Sequence, residues 1–157
     1  MHAIIHIIVI GSYKESFWKE AEQEFLKRLG PFAKITVTEI PEESFGKNDP
    51  KDRTAAKEAQ ILKKHLLDGA FVIALDETGK EFSSKTFAAF LERHAAGGAH
   101  LAFVIGGARG LHSSVKESAD AVVSLSSLTF PHQMARVVLL EQLYRAMTIL
   151  HGKTYHY

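Results

Sequence analysis

The sequence predicts an α/β protein with a mostly parallel sheet that carries helices on both faces. Five apolar segments alternate along the chain with five segments of helical periodicity. Strands that alternate with helices in this way build parallel sheets. The first segment, 3–10 (AIIHIIVI), is almost continuously apolar, which is typical of a strand buried on both faces. The 157 residues suit one domain, 1–157, with one core.

The next predicted elements are a helix, a strand and a second helix, placed by capping residues, helix-ending residues and the spacing of apolar residues. Ser16 is placed to cap a helix that Gly30 and Pro31 end. The alternating segment 34–40 predicts a half-exposed strand, as at a sheet edge, and a polar loop then leads to a helix over 51–67. The apolar stripe of the first helix consists of Phe17, Trp18, Ala21, Phe25 and Leu29.

Three more strands and three more helices are predicted in the second half. Ser83 or Ser84 can cap the first of these helices, and Pro131 is tolerated in the first turn of the last one. The expected strands are 70–75, 101–105 and 121–125, and the expected helices begin near 83, cover 113–119 and cover 131–150.

Composition narrows the class of protein. Hydrophobic residues make up 46% and charged residues 24% of the chain, and the net charge is +1. These values describe an ordinary globular domain with no apolar run long enough for a membrane span. The net charge argues neither for nor against nucleic acid, so any basic surface must be local. The chain has no cysteine, which excludes disulfides, thiolate metal sites and cysteine nucleophiles. We expect a cytoplasmic protein with no bound metal.

Three of the predicted strand ends carry unusual residues, at 75–77, 106–107 and 125–130. Ligands of parallel sheets bind at the carboxyl ends of the strands, so these three segments are expected to form a site. The segment 103–112 (FVIGGARGLH) matches neither the dinucleotide fingerprint nor a P-loop. Its glycine pair is either a tight turn that needs positive φ or a bare backbone that a nucleoside-like ligand approaches. Arg109 is either a surface charge or a contact to an anionic substrate.

The segment 125–132 has two interpretations. Its hydroxyls and backbone groups suit an adenine edge and a ribose, and its apolar residues suit the walls of a small-molecule pocket. Alternatively, Thr129 caps the last helix and Phe130 packs on it as a staple, without any ligand.

The last helix has more apolar residues than one face requires. This surplus predicts either a second copy of the chain packed against it or a helix buried at the centre of one copy. Arg145 follows Glu141 by four residues, the order that stabilises a helix. The C-terminal part of the chain also predicts a local positive surface that could hold phosphates, formed by Arg136, Arg145, Lys153, His132, His151 and His156.

At these residues the sequence resembles a known family. The segments 103–112 (FVIGGARGLH), 125–146 (LSSLTFPHQMARVVLLEQLYRA) and 155–157 (YHY) resemble the small bacterial ribosomal RNA methyltransferases of the SPOUT superfamily. Among them, the chain is most similar to those that methylate N3 of a pseudouridine in helix 69 of 23S rRNA. The resemblance runs from end to end and includes 29–32 (LGPF) and 74–84 (ALDETGKEFSS).

The resemblance implies a sheet whose C-terminal part is tied in a trefoil knot, S-adenosylmethionine as the methyl donor, a homodimer with the last helix in its interface, and the assembled ribosome as substrate. Gly106 is expected to approach the cofactor, where a side chain would fill the space. The implied cofactor contacts are Leu75, Gly106, Leu125, Ser126, Ser127, Leu128, Thr129 and Phe130.

Catalysis on this substrate needs removal of the N3 proton and alignment of N3 with the methyl group. We expect His132, Arg145, Tyr155 and His156 to matter for turnover, with the roles of base and positioning group left open among them. The rival hypothesis is a ribosome- or nucleotide-binding α/β protein that keeps the pocket without the chemistry.

Overall fold

The order of strands and helices agrees with the prediction. The computed structural model describes residues 2–155. The strands are β1 (Ala3–Ile10), β2 (Ala33–Ile40), β3 (Phe71–Glu81), β4 (His100–Ile105) and β5 (Ala121–Ser124). The helices are α1 (Ser16–Leu29), α2 (Lys51–Lys64), α3 (Ser84–Ala95), α4 (Ser113–Ser118) and α5 (His132–Leu150), and a 3-10 turn at Ala96–Gly98 follows α3.

The five strands form one parallel sheet in the order β2-β1-β4-β3-β5. Strand β2 lies at an edge, as its alternating sequence predicts. Because all pairs are parallel, the carboxyl ends of β3, β4 and β5 lie at the same end of the sheet. The trefoil knot stays a prediction.

The alternating side chains of β1 show why that strand is almost continuously apolar. Ile5 and Ile7 belong to the core cluster that includes residues of α1, α3 and α5. Ile8 and Ile10 belong to the opposite cluster, with residues of α2 and α4. Both faces of the strand therefore carry buried apolar side chains, and the polar residue among them, His6, is only partly buried.

Helix α5 lies against both α1 and α3. Leu139, Leu140 and Leu143 are fully buried, so much of its apolar surplus is used within the chain, as the central-helix interpretation predicts. Val137 and Val138, on the same helix, are only partly buried. Among the described residues, no helix is long and apolar enough to cross a membrane.

The starts of α1 and α5 differ from the prediction, and the start of α3 agrees with it. Ser16 is the first residue of α1 rather than its cap, and Phe17 is 59% exposed instead of facing the core. Ser83 does cap α3, through a capping box with Thr86. Helix α5 begins at His132 with no side-chain cap, so the interpretation of Thr129 as its N-cap is wrong.

Strand β3 is longer than predicted because it resumes after an irregularity. Leu75 and Lys80 both pair with Val123, so residues 76–79 bulge out between them. A Cβ at Gly79 would lie 2.7 Å from the backbone of Val122. Glycine there lets β3 return to β5 after the bulge, and the bulge directs Asp76 away from the ladder.

Candidate active site

A cavity of about 550 Å³ lies at the carboxyl ends of β3, β4 and β5. The three strand ends singled out in the sequence all contribute to its wall, as predicted. It is also lined by His132, in the first turn of α5. Seven of the eight residues expected to hold a cofactor line this cavity: Leu75, Gly106, Leu125, Ser126, Leu128, Thr129 and Phe130.

Ser127 is the eighth and is not among the lining residues. Its hydroxyl donates a hydrogen bond to Glu81 at the end of β3. Ser126 accepts a hydrogen bond from the Leu128 N–H at 3.0 Å through its hydroxyl. The serines of this loop therefore fix its backbone, and part of the hydrogen-bonding capacity expected to face a ligand is used within the loop.

The glycines of 106–110 have different roles from those predicted. Gly110, and neither residue of the pair, has positive φ, at 77°. A Cβ at Gly106 would lie 2.7 Å from the carbonyl carbon of Gly110 and 2.8 Å from the Leu111 nitrogen. The close approach that requires glycine at 106 is therefore made by the turn itself: the segment is a tight turn, but the glycine pair serves it through close packing and not through positive φ.

The loop at 41–50 holds this glycine turn from the side. The Glu42 carboxylate accepts a hydrogen bond from the Ala108 N–H at 2.9 Å. Arg109 donates to the carbonyls of Asp49 at 3.1 Å and Gly46 at 3.2 Å. Arg109 is thus a contact between two loops, a role that neither sequence interpretation included.

The bulge of β3 places two carboxylates, Asp76 and Glu77, on the cavity wall. Asp76 is held by the backbone and hydroxyl of Thr78 and lies 3.7 Å from the Lys116 ammonium group. The cavity therefore has an acidic side, near the bulge, and apolar surfaces from Leu75 and Phe130.

The imidazole of His132 is held close to the end of β1. Its Nε2 lies 3.3 Å from the point where a Cβ would stand at Gly11, whose φ is 101°. Gly11 is required twice, for this backbone conformation and for the space that His132 occupies. The sequence marked Gly11 as a strand end, and no signal there indicated its proximity to His132.

Arg136, one helical turn after His132, is buried and not part of a positive surface. It is 5% exposed, and its Nε and Nη2 donate to the two Glu22 oxygens at 2.6 and 2.8 Å. Its Nη1 donates to Glu39 at 2.7 Å, and the Tyr13 ring lies 4.1 Å from the guanidinium. The predicted phosphate surface is therefore wrong for Arg136, because both of its carboxylate partners come from distant segments.

Burial and these contacts change the pKa values of Arg136 and Tyr13. Burial opposes the charge of Arg136, but the hydrogen bonds that it donates to Glu22 and Glu39 outweigh this effect and raise the pKa of the guanidinium. Burial also raises the pKa of the Tyr13 hydroxyl, against the opposing charge of Arg136. Tyr13 thus stays a donor to Glu22, at 3.1 Å.

Arg145 and Tyr155 come together far from the cavity. Arg145 donates to Glu141 Oε1 from Nη2 at 2.6 Å, and the Tyr155 hydroxyl donates to the same oxygen at 3.2 Å. Burial, with the nearby Glu141, raises the pKa of Tyr155. Arg145 follows His132 by thirteen positions on α5, about 20 Å of helix. Within one copy, these groups cannot act on the same atom.

Two further expectations concern His156 and metal binding. His156 lies outside the described residues. Over residues 2–155, no three His, Cys, Asp or Glu side chains are grouped to hold a metal ion.

Comparison with known proteins gives the same family as the motifs. The family model described as "Predicted SPOUT methyltransferase" matches residues 3–156. Curated relatives named "Ribosomal RNA large subunit methyltransferase H" include that of Caldicellulosiruptor saccharolyticus, 40% identical over 98% of this chain and 99% of that protein. That of Desulforamulus reducens is 41% identical over 97% of this chain and 98% of its own.

Solved structures show the same fold. A probable methyltransferase from Bordetella pertussis has a TM-score of 0.57 at 14% identity, covering 91% of this chain and 93% of that chain. A probable methylase family protein from Haemophilus influenzae has a TM-score of 0.56 at 14% identity, covering 98% and 70%. From the matched family model and the near-full-length relatives, we conclude that this chain belongs to the SPOUT methyltransferase family.

Proposed function

We propose that the chain, as one domain over 1–157, is an S-adenosylmethionine-dependent methyltransferase that acts on N3 of a pseudouridine in helix 69 of 23S rRNA, in the cytoplasm. The observation that carries this proposal is the cavity at the strand ends, where seven expected cofactor residues and His132 meet. The rRNA target rests on relatives that are named for methylation of the large ribosomal subunit.

The residues present fit the proposed cofactor. A cavity of about 550 Å³ has the size of a ligand site, and Phe130, Leu125 and Leu75 give it the apolar walls that a flat base requires. The carboxylates of Asp76 and Glu77 suit a ligand with a positive charge, as this cofactor has. When bound, the cofactor supplies a methyl group on a sulfonium centre that is already electrophilic.

The protein must then prepare the acceptor nitrogen. His132 lines the cavity, and an imidazole is a side chain that can accept the N3 proton. The other candidate role for His132 is to hold the base in line while the proton leaves to water. Arg145 and Tyr155 would stabilise the developing negative charge of the base or hold a phosphate.

We propose that Arg145 and Tyr155 act in the cavity of a second copy, in a homodimer. Arg145 lies about 20 Å from His132 along α5, and Tyr155 contacts the Glu141 that Arg145 also contacts, which excludes a joint role with His132 within one copy. Val137 and Val138, partly buried on the same helix, supply apolar surface for such a contact. His156, next to Tyr155 in sequence, is proposed to enter the same partner cavity.

The test is transfer of labelled methyl from S-adenosylmethionine to ribosomes from cells that lack this modification. Intact ribosomes, large subunits and naked rRNA are compared, and the methylated nucleoside is identified. We expect methylated pseudouridine with intact ribosomes, and a rate at least about 100-fold lower for His132→Ala. His65→Ala, at an exposed histidine of the α2 end, is the matched control.

Two negative outcomes have different meanings. Cofactor binding without transfer to any ribosomal substrate would contradict the rRNA target and favour the silent binding protein. Absence of cofactor binding, measured by calorimetry on the same preparation, would overturn the methyltransferase assignment of the cavity.

A further inference from the structure

We infer that the 41–50 loop is a working part of the cofactor site: Glu42 and Phe45 position the glycine turn at 106–110, which forms one wall of the cavity. This inference rests on the proposed function, because the ligand of the cavity is taken to be S-adenosylmethionine. Neither Glu42 nor Phe45 lines the cavity, so both act through the turn.

The glycine turn needs an outside support. Gly106, Gly107 and Gly110 lie within five residues, and glycine loses more backbone freedom on ordering than any other residue. A turn left mobile would be ordered only when the ligand binds, at the expense of affinity. A turn already fixed in the free protein avoids that loss.

The first support is the Glu42 carboxylate. Its Oε1 accepts from the Ala108 N–H at 2.9 Å, and a Cβ at Gly107 would stand 2.9 Å from the same oxygen. Glycine at 107 therefore lets this carboxylate reach the backbone of the turn. The neighbouring Glu43 N–H donates to the buried Glu58 at 3.0 Å, which ties the start of the loop to α2.

The second support is the Arg109 side chain, held by the tip of the loop. Its guanidinium lies 3.8 Å from the centre of the Phe45 ring and donates to two loop carbonyls. The tip is closed on itself, since the Gly46 N–H donates to the Asp49 side chain at 2.6 Å. The loop tip thus offers Arg109 an ordered binding surface, with the Phe45 ring for a cation–π contact and two carbonyl oxygens as hydrogen-bond acceptors.

A third contact joins the first turn of α2 to the start of α4, beyond the glycine turn. The Asp52 carboxylate in the first turn of α2 lies 3.2 Å from His112 Nε2, and His112 caps α4 directly after the turn. Lys51, the residue that follows the loop, lines the cavity. The two loops are therefore connected to each other, and of the two only the glycine turn lines the cavity.

Two pairs of variants test the inference. In each pair, one substitution removes a contact to the glycine turn and the other keeps it. Phe45→Leu removes the π face and Phe45→Tyr keeps it. Glu42→Ala removes the acceptor of the Ala108 N–H and Glu42→Gln keeps one. Glu43→Ala is the matched control, because its side chain pairs with Lys57 and not with the turn.

We measure the S-adenosylmethionine dissociation constant by calorimetry and the KM and kcat of methyl transfer to ribosomes. Phe45→Leu and Glu42→Ala are expected to weaken binding about five- to tenfold and raise KM in proportion, with kcat within about twofold of wild type. Phe45→Tyr, Glu42→Gln and Glu43→Ala are expected to bind as wild type does. A merely structural role would instead lower the active fraction and so kcat, without changing KM.

Wild-type affinity in both breaking variants would overturn the inference and leave the proposed function intact. Absence of binding by the wild type would overturn both. If Glu42→Ala does not fold, the Phe45 pair decides alone, because Phe45 is 38% exposed and its replacement opens no cavity in the core.

Discussion

Glu58 is a carboxylate placed where a neutral group would be more stable. Its side chain is 3% exposed, one oxygen accepts from the Glu43 N–H, and the other has no hydrogen-bond partner among the described residues. Burial raises its pKa, the Glu43 N–H opposes the shift, and the charges of Glu42 and Glu43 add to it. The folded protein therefore binds the Glu58 proton more tightly than the unfolded chain does.

The raised pKa of Glu58 predicts the direction in which stability changes with pH. Since the folded state holds the extra proton, the contribution of Glu58 to stability falls as the pH rises from its unfolded pKa through its folded pKa, and stays low at neutral pH. Glu58→Gln removes this loss and keeps an acceptor for the Glu43 N–H. We expect it to raise the free energy of unfolding by about 1 kcal/mol at pH 7 and by less in acid.

Urea unfolding at several pH values between about 4.5 and 7.5 measures the effect. Glu92→Gln, at an exposed site on α3, is the control and should change little at any pH. A difference between Glu58→Gln and wild type that is constant over this range would show that Glu58 titrates alike in both states.

The buried Arg136 on α5 forms ion pairs that connect this helix to α1 and to β2. Arg136 connects α5 to Glu22 on α1 and to Glu39 at the end of β2. These contacts lie one turn from His132, so they set the position of the first turn of α5 against the sheet. Removing one partner leaves a buried charge, which costs far more than the pair contributes.

Arg136→Met is expected to lower the free energy of unfolding by about 3–5 kcal/mol, since it strands the Glu22 carboxylate. Adding Glu22→Gln should restore a large part of this loss, because the amide is neutral and still accepts from Tyr13. Urea unfolding of both variants measures the recovery. Arg28→Ala, in the exposed pair with Glu24, should change the free energy of unfolding far less. No recovery in the double variant would contradict a charge-based account.

At the scale of the whole molecule, local patterns predicted the layers well. Continuous apolar strands such as 3–10 and helical stripes require one architecture, and the structure has it. The errors arise where a distant segment decides the outcome. Strand β3 continues beyond residue 75 because β5 pairs with it again. Phe17 has the spacing of the apolar stripe of α1 but is exposed, and its local pattern gives no sign of this.

The site was predictable to the same extent. The strand ends brought seven expected residues to one cavity, because parallel topology collects such ends. The supports of Arg109 and Arg136 come from partners more than fifty positions away, and no spacing rule links them. The positions of Arg145 and Tyr155 relative to a second copy are likewise beyond any single-chain pattern.

The proposed dimer can be tested with mixed pairs of copies. If Arg145 acts in the cavity of its partner, a pair of one His132→Ala copy and one Arg145→Ala copy contains one intact cavity, with wild-type His132 and the partner's wild-type arginine. If Arg145 acts within its own copy, each cavity of the mixed pair carries one defect. Co-expression with two affinity tags isolates the mixed pair, and methyl transfer to ribosomes gives its rate. We expect close to half of the wild-type rate, against a loss of about 100-fold for either variant alone.

The control is a mixed pair in which one copy carries both substitutions and the other is wild type. If Arg145 acts in the cavity of its partner, this pair is inactive, because each cavity lacks one of the two groups. Activity in that control and inactivity in the first pair would place Arg145 in its own copy's reaction, against the 20 Å that separates it from His132 on α5.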